Sequence, residues 1–66
     1  MITEIERKDL AKKLEGISAL TRDKTVYATR FGLYDGIYKT LEETGKIFDM
    51  SRENVRIIIR NLEKFF

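Results

Sequence analysis

The chain has 66 residues, of which 36% are charged, and its formal net charge is +2. It contains no cysteine and no histidine, which excludes disulfide bonds and the usual Cys/His zinc sites. No apolar run approaches the roughly 20 residues of a membrane span and the N-terminus is too charged for a signal peptide, so we expect one soluble, cytoplasmic domain over residues 1–66, with no metal and no cofactor.

The first predicted helix covers residues 4–18. Thr3 and Glu6 have the spacing of a capping box, in which each side chain accepts a hydrogen bond from the other residue's backbone N–H. Leu10, Leu14 and Ile17 follow at helical spacing and predict the buried side of this helix.

The second predicted helix covers residues 22–31, with Thr21 as its N-cap. Gly32 is suited to the left-handed position that follows a helix end. Asp35 and Gly36 then predict a turn. A hairpin is conceivable here, but the flanking runs are short and a loop is favoured.

Two further helices, over residues 41–48 and 52–65, complete an all-α bundle of four helices that ends in a helix-turn-helix. Thr40 and Glu43 form a second capping box, and Ser51 is the cap of the last helix. Gly45 is expected where the two helices cross closely. The apolar residues predicted for their shared core are Leu41, Ile47, Phe48 and Met50.

The last helix has an apolar and a basic side. At about 100° per residue, the apolar side consists of Val55, Ile58, Ile59, Leu62 and Phe66. The basic row consists of Arg52, Arg56, Arg60 and Lys64. Such a row can follow a phosphate backbone while its first members enter the major groove, although a solvated face has the same pattern. Ile57 lies on the polar side and could contact a thymine methyl, bind a protein partner or be a tolerated exposed side chain.

No catalytic residues are predicted. Glu42 and Glu43 are adjacent, so their carboxylates point about 100° apart on a helix. The chain contains no nucleophile–base or metal-binding constellation, and we therefore expect that it is not an enzyme.

Three linked blocks resemble region four of the primary-class bacterial sigma factors: RFGL-x-DG, TLEE-x-G-x-x-F and SRE-x-VR-x-I-x-x-x-L-x-K. The resemblance covers about residues 10–65. In that family, region four recognises the upstream (−35) promoter element with the second helix of its motif and docks on the flap of the polymerase β subunit. The resemblance thus implies a four-helix region-four fold, double-stranded promoter DNA and the RNA polymerase β-flap as partners, and a monomer in isolation.

Residue roles follow from the resemblance by position. It implies that Arg56 reads guanine O6 and N7, and that Glu53 accepts a hydrogen bond from a cytosine amino group. The other implied contacts are to bases or backbone by Arg52, to phosphates at the helix N-terminus by Thr40, Leu41 and Glu42, and to the backbone by Lys46 and Arg60. Asn54 and Ile57 depart from the basic residue and the glutamine usual at those positions, so an altered sequence preference is expected.

Two other functions remain open. Sixty-six residues cannot hold the region that melts the downstream promoter, so the chain is either an excised domain or a free-standing region-four protein. A free-standing protein could bind polymerase to divert or inhibit it. An independent helix-turn-helix repressor would instead dimerise, with Ile57, Phe65 and Phe66 as candidate interface residues.

Overall fold

The computed structural model describes residues 3–66, which form four helices. They are α1 (Glu4–Glu15), α2 (Thr21–Arg30), α3 (Leu41–Phe48) and α4 (Arg52–Glu63). No strand occurs within that range, so the predicted all-α fold is confirmed and the hairpin is not formed.

The ends of three helices differ from the prediction. α1 ends at Glu15 rather than at residue 18, because the Gly16 N–H donates to the carbonyl of Lys13, three residues earlier, with N and O 3.2 Å apart. α4 ends at Glu63 rather than at residue 65, and the last residues continue only as short-range turns. The prediction that Thr21 caps α2 was wrong: it is the first helical residue, and Leu20 precedes the helix without a side-chain cap.

Both predicted capping boxes are present. At the start of α3, the Glu43 N–H donates to Thr40 Oγ1 at 3.0 Å, and the Thr40 N–H donates to Glu43 Oε1 at 2.8 Å. Thr3 and Glu6 form the same pair of bonds at the start of α1. Because these bonds satisfy backbone donors that the helix itself leaves free, they fix where α1 and α3 begin.

The core lies around α2, which packs against both α3 and α4. Val26 of α2 and Val55 of α4 are both 0% exposed. The buried apolar cluster as a whole consists of Leu14, Ile17, Val26, Tyr27, Ala28, Val55, Ile59 and Leu62. Since α2 buries four consecutive residues, 26–29, it is surrounded by the rest of the domain.

The α2–α3 loop is fixed by backbone geometry. Gly32 has φ 69°, and a Cβ there would lie 2.7 Å from backbone atoms of Ile37. The Asp35 carboxylate accepts a hydrogen bond from the Ile37 N–H at 3.0 Å, which makes the predicted turn. The Arg30 guanidinium donates to the carbonyl of Lys39. These bonds lead the chain directly into Thr40, the cap of α3.

The packing of α3 corrects one core prediction. Ile47 is 56% exposed and is not part of the shared core. Thr44 takes a core position instead, with its hydroxyl donating to the carbonyl of Thr40 at 2.9 Å. A polar side chain can be buried here because its only donor is satisfied within the helix.

The aromatic side chains divide between core and surface. The rings of Tyr27 and Phe66 stack with centroids 5.3 Å apart, and those of Tyr27 and Phe31 lie 4.6 Å apart. Burial raises the pKa of the Tyr27 hydroxyl, with a smaller contribution from Glu63. Phe66 therefore packs on its own domain, although part of its ring is exposed.

Candidate nucleic-acid interface

The corner between α3 and α4 is closed by Gly45 and Asp49. A Cβ on Gly45 would overlap the carbonyl oxygen of Met50, so no larger residue fits without movement of the turn. Asp49 adopts the left-handed conformation, with φ 55° and ψ 49°. The Met50 N–H then donates to the Gly45 carbonyl at 2.8 Å. The close approach predicted for Gly45 is confirmed, and it is made by the turn.

The two sides of α4 have different environments. Val55, Ile59 and Leu62 are buried against the other helices, as predicted. The polar residues Arg52, Glu53, Arg56 and Arg60 are all exposed on the other side. Ser51 caps this helix by accepting from the Asn54 N–H at 3.2 Å. The arrangement leaves a charged helical face projecting from the domain, supported from behind by the core.

The structure brings six of the ten predicted DNA-binding residues to one recess between the start of α3 and the start of α4. This recess, called the α3–α4 recess below, is lined by Thr40, Leu41, Glu42, Arg52, Glu53 and Arg56. Lys46 lines an adjoining recess together with Glu42 and Arg52. Arg60 lies one turn beyond Arg56 on α4.

Within the α3–α4 recess, Glu53 and Arg56 form a bidentate ion pair. Arg56 Nε donates to Glu53 Oε2 at 3.0 Å, and Arg56 Nη2 donates to the other carboxylate oxygen. The hydrogen bond from Arg56 holds the pKa of Glu53 below its ordinary value, and the same bond raises the pKa of Arg56. The pair uses one edge of the guanidinium, and the Nη1 side of the group stays free to donate.

Within the described residues, three cations close to this pair form no ion pair. Among residues 3–66, no carboxylate lies within 4.0 Å of the side-chain nitrogens of Lys46, Arg52 or Arg60. Free cations beside a projecting helix are suited to phosphate oxygens, because phosphate contact needs no prior ion pair to be broken.

The N-terminus of α3 offers two further donors. Its capping box occupies the N–H groups of Thr40 and Glu43. Leu41 and Glu42 are the first two residues of α3, so the helix has no carbonyl four residues earlier to accept a hydrogen bond from their N–H groups. Leu41 and Glu42 line the same recess as Arg52, where the helix dipole favours an anion.

Asn54 and Ile57 do not line the α3–α4 recess. They line a second recess, which is completed by Arg22, Phe48, Asp49, Met50 and Ile58. Arg22 comes from α2 and was not predicted as a site residue. No local sequence pattern marks it, because only the packing of α2 beside the turn brings it there. Its side chain bonds Asp23 at 3.4 Å.

A separate apolar groove lies between α1 and α2. Its lining includes Ala11 and Leu14 from α1, Ala28 from α2 and Leu33 from the following loop. Arg7 braces α1 against this loop by donating to the carbonyls of Leu33 at 3.3 Å and Tyr34 at 2.9 Å. The groove lies on N-terminal helices, whereas the charged face belongs to α3 and α4, so two different ligands could bind at once.

The described part of the chain, residues 3–66, offers neither a candidate metal site nor a membrane-spanning helix. Over residues 3–66, no three His, Cys, Asp or Glu side chains are grouped so that they could hold a metal ion. In the same part of the chain, no helix is both long enough and apolar enough to cross a membrane.

Comparison with known proteins finds sigma factors. RNA polymerase sigma factor sigB of Arabidopsis thaliana is 47% identical over 58 residues, 88% of this chain. SigA of Nostoc sp. is 50% identical over 52 residues, 79% of the chain, and SigA1 of Synechococcus elongatus is 44% identical over 57 residues, 83% of the chain.

The chain spans only 10% to 14% of the length of these relatives. No protein-family model matches it. The relatives are primary sigma factors, and the four-helix fold is the one expected for their region four. The chain is therefore related to the sigma factors over most of its own length, and its four-helix fold is consistent with region four of that family.

Proposed function

We propose that this domain acts in transcription initiation, by binding the upstream (−35) promoter element in the major groove and docking on the β-flap of RNA polymerase. The proposed DNA binding rests on the α3–α4 recess. In this recess Arg56 and Glu53 of α4 lie beside Leu41 and Glu42, the first two residues of α3, whose backbone N–H groups have no partner within the helix. Similarity to sigma factors over most of the chain supports the same function.

In the proposed complex, α4 lies in the major groove with its N-terminal half toward the bases. Arg56 donates to guanine O6 and N7 from its free edge, and Glu53 accepts from a cytosine amino group. Arg52 contacts bases or backbone, and Asn54, which follows Glu53 on the first turn of α4, contacts a base edge at the margin of the same face. These contacts carry the sequence preference.

Phosphate contacts position the helix. Leu41 and Glu42 donate their backbone N–H groups at the start of α3, next to the Thr40 cap. Lys46 and Arg60 contact the backbone on either side of the reading residues. Because the net charge of the chain is only +2, we expect modest nonspecific affinity that falls quickly with salt.

The DNA part is tested by substituting Arg56. Arg56→Ala should weaken binding to the preferred duplex by about 1–3 kcal/mol and relax the preference at one base pair. Lys12→Ala, which removes the same charge from exposed α1, is the matched control and should leave the preference unchanged. Fluorescence anisotropy on preferred and scrambled duplexes measures both the affinity and the sequence preference of each variant. An equal loss on every duplex would assign Arg56 to phosphate and contradict base reading.

The polymerase part rests on the groove between α1 and α2, which is apolar and separate from the charged face. Calorimetric titration with the isolated β-flap should show micromolar or tighter binding. Ala11→Arg, which fills the groove from an exposed position, should abolish it, while Ser18→Arg adds the same charge outside the groove and should not.

Flap binding without DNA preference would favour a polymerase-diverting protein. DNA preference without flap binding would favour an independent regulator.

A further inference from the structure

One apolar side chain lies in the middle of the face that we propose to enter DNA. At about 100° per residue, Ile57 is roughly 40° from Glu53 and about 60° from both Asn54 and Arg60 around the axis of α4. Its side chain is 42% exposed. On α4 itself Ile57 therefore lies among polar residues, and on one side it borders the recess that Phe48, Met50 and Ile58 also line.

The core does not explain this isoleucine. Val55, Ile59 and Leu62 already fill the contact of α4 with the rest of the domain. Ile57 is not part of the buried cluster and lines the second recess together with half-buried Ile58 and Met50. A single exposed isoleucine is common on protein surfaces. This one differs because its immediate helix neighbours are the proposed base-reading residues.

We infer that Ile57 recognises a 5-methylpyrimidine, in a promoter duplex a thymine, by packing against its C5-methyl group. This inference rests on the proposed function, since it requires α4 to lie in the major groove. If Glu53 and Asn54 reach base edges, Ile57 is carried to the same depth between them. The C5-methyl group is the one apolar group that the bases present in that groove.

An isoleucine at this position both favours thymine and disfavours cytosine and adenine. Packing against a methyl group removes apolar surface from water, which favours thymine. A cytosine amino group or an adenine amino group at the same place would lose water without gaining an acceptor, because isoleucine has none. Ile57 therefore acts as a specificity-determining residue even though it makes no hydrogen bond.

The test replaces thymine with deoxyuridine, which removes only the methyl group. The preferred duplex is first selected from a randomised pool with the 66-residue chain, and each thymine is then replaced in turn. The wild-type chain should lose about fourfold in affinity at one position, which corresponds to one buried methyl group. Ile57→Ala should bind the two duplexes equally. The wild-type chain should bind a duplex with 5-methylcytosine at that position more tightly than one with cytosine. Ile57→Ala should not make this distinction.

Controls separate this inference from the function on which it rests. Ile5→Ala removes a more exposed isoleucine, 81% exposed, from the distant helix α1 and should keep the deoxyuridine effect. A duplex preference that depends on Arg56 but shows no deoxyuridine effect, or an effect that survives Ile57→Ala, would overturn the inference alone. Failure to select any duplex from the pool would overturn the DNA-reading function and the inference together. Circular dichroism shows that each variant is folded.

Discussion

Arg56 and Glu53 are joined by two hydrogen bonds, although each is also proposed to read a base. The pair is exposed, so it contributes little to folding. Its effect is instead to hold the guanidinium in one orientation on α4, with its other edge toward the proposed DNA. A side chain that is ordered before binding loses less entropy when it binds.

The first prediction concerns this pair. Glu53→Ala should lower the ratio of affinities for preferred and scrambled duplexes, because Arg56 loses its orienting partner. In an Arg56→Ala background the same change should have a smaller effect, since the two residues act as a unit. A double-mutant cycle measured by anisotropy gives the coupling. Strict additivity of the two losses would show that Glu53 and Arg56 act independently and that their ion pair does not contribute to the preference.

The second prediction concerns pH. The Thr40 N–H holds the pKa of Glu43 below its ordinary value, so the unfolded chain binds this proton more readily than the folded one. The capping box therefore stabilises the domain at neutral pH, and this contribution is lost as the pH falls through the folded pKa. Asp35 and Glu53 have lowered pKa values and act in the same direction.

Urea denaturation at neutral pH and at about pH 3 measures this loss. Glu43→Gln can still accept the cap hydrogen bond but does not titrate. It should be somewhat less stable than the wild type at neutral pH and should show a smaller loss on acidification. An unchanged pH dependence in this variant would assign the acid sensitivity to other carboxylates.

The third prediction compares two glycines. Gly45→Ala should reduce the free energy of unfolding by about 1–3 kcal/mol, because the new Cβ meets the Met50 carbonyl in a turn that cannot move freely. Gly16→Ala places its Cβ at 3.6 Å from the nearest backbone atom, an ordinary contact, and should change stability by less than about 0.5 kcal/mol. Similar losses in both variants would mean that the turn adjusts to the alanine.

The fourth prediction concerns Asp49 in its left-handed conformation. Asp49→Ala should destabilise the domain by about 1 kcal/mol, since alanine tolerates that region less well than aspartate. Asp49→Gly should be close to neutral, because easier left-handed geometry is offset by greater freedom in the unfolded chain. Thermal denaturation of the two variants tests the order. Equal stability of the alanine and glycine variants would contradict it.

Local signals were the most predictable part of the fold. Both capping boxes and the turn at Asp35 depend on residues within three positions of each other, so their hydrogen bonds could be predicted from spacing alone. Ile47 was mispredicted because hydrophobicity was given more weight than direction. It lies about 110° from the middle of the buried side of α3, and Thr44 takes the core position by bonding its own helix.

The residues that line the candidate site were more predictable from the sequence than the contacts that they make. The spacing of Arg52, Arg56 and Arg60 indicated one face of a helix, and the structure has them exposed there. The Glu53–Arg56 pair was missed, although their separation of three residues permits such a bond. Arg7 could not have been assigned, because the carbonyls that it contacts belong to Leu33 and Tyr34, far away in the sequence. Arg22 could not have been assigned either, because only tertiary packing brings it into the second recess.

The bracing of α1 by Arg7 has a consequence for how the domain unfolds. α2, α3 and α4 pack on one another, whereas α1 joins them through Leu14 near its end and through two side-chain bonds from Arg7. Helices with few buried contacts open locally at lower free energy than the core does. Amide hydrogens of α1 should therefore exchange with solvent well before those of α2, and Arg7→Ala should widen that gap. The α1 wall of the groove between α1 and α2 should then open at lower free energy than the core formed by α2, α3 and α4.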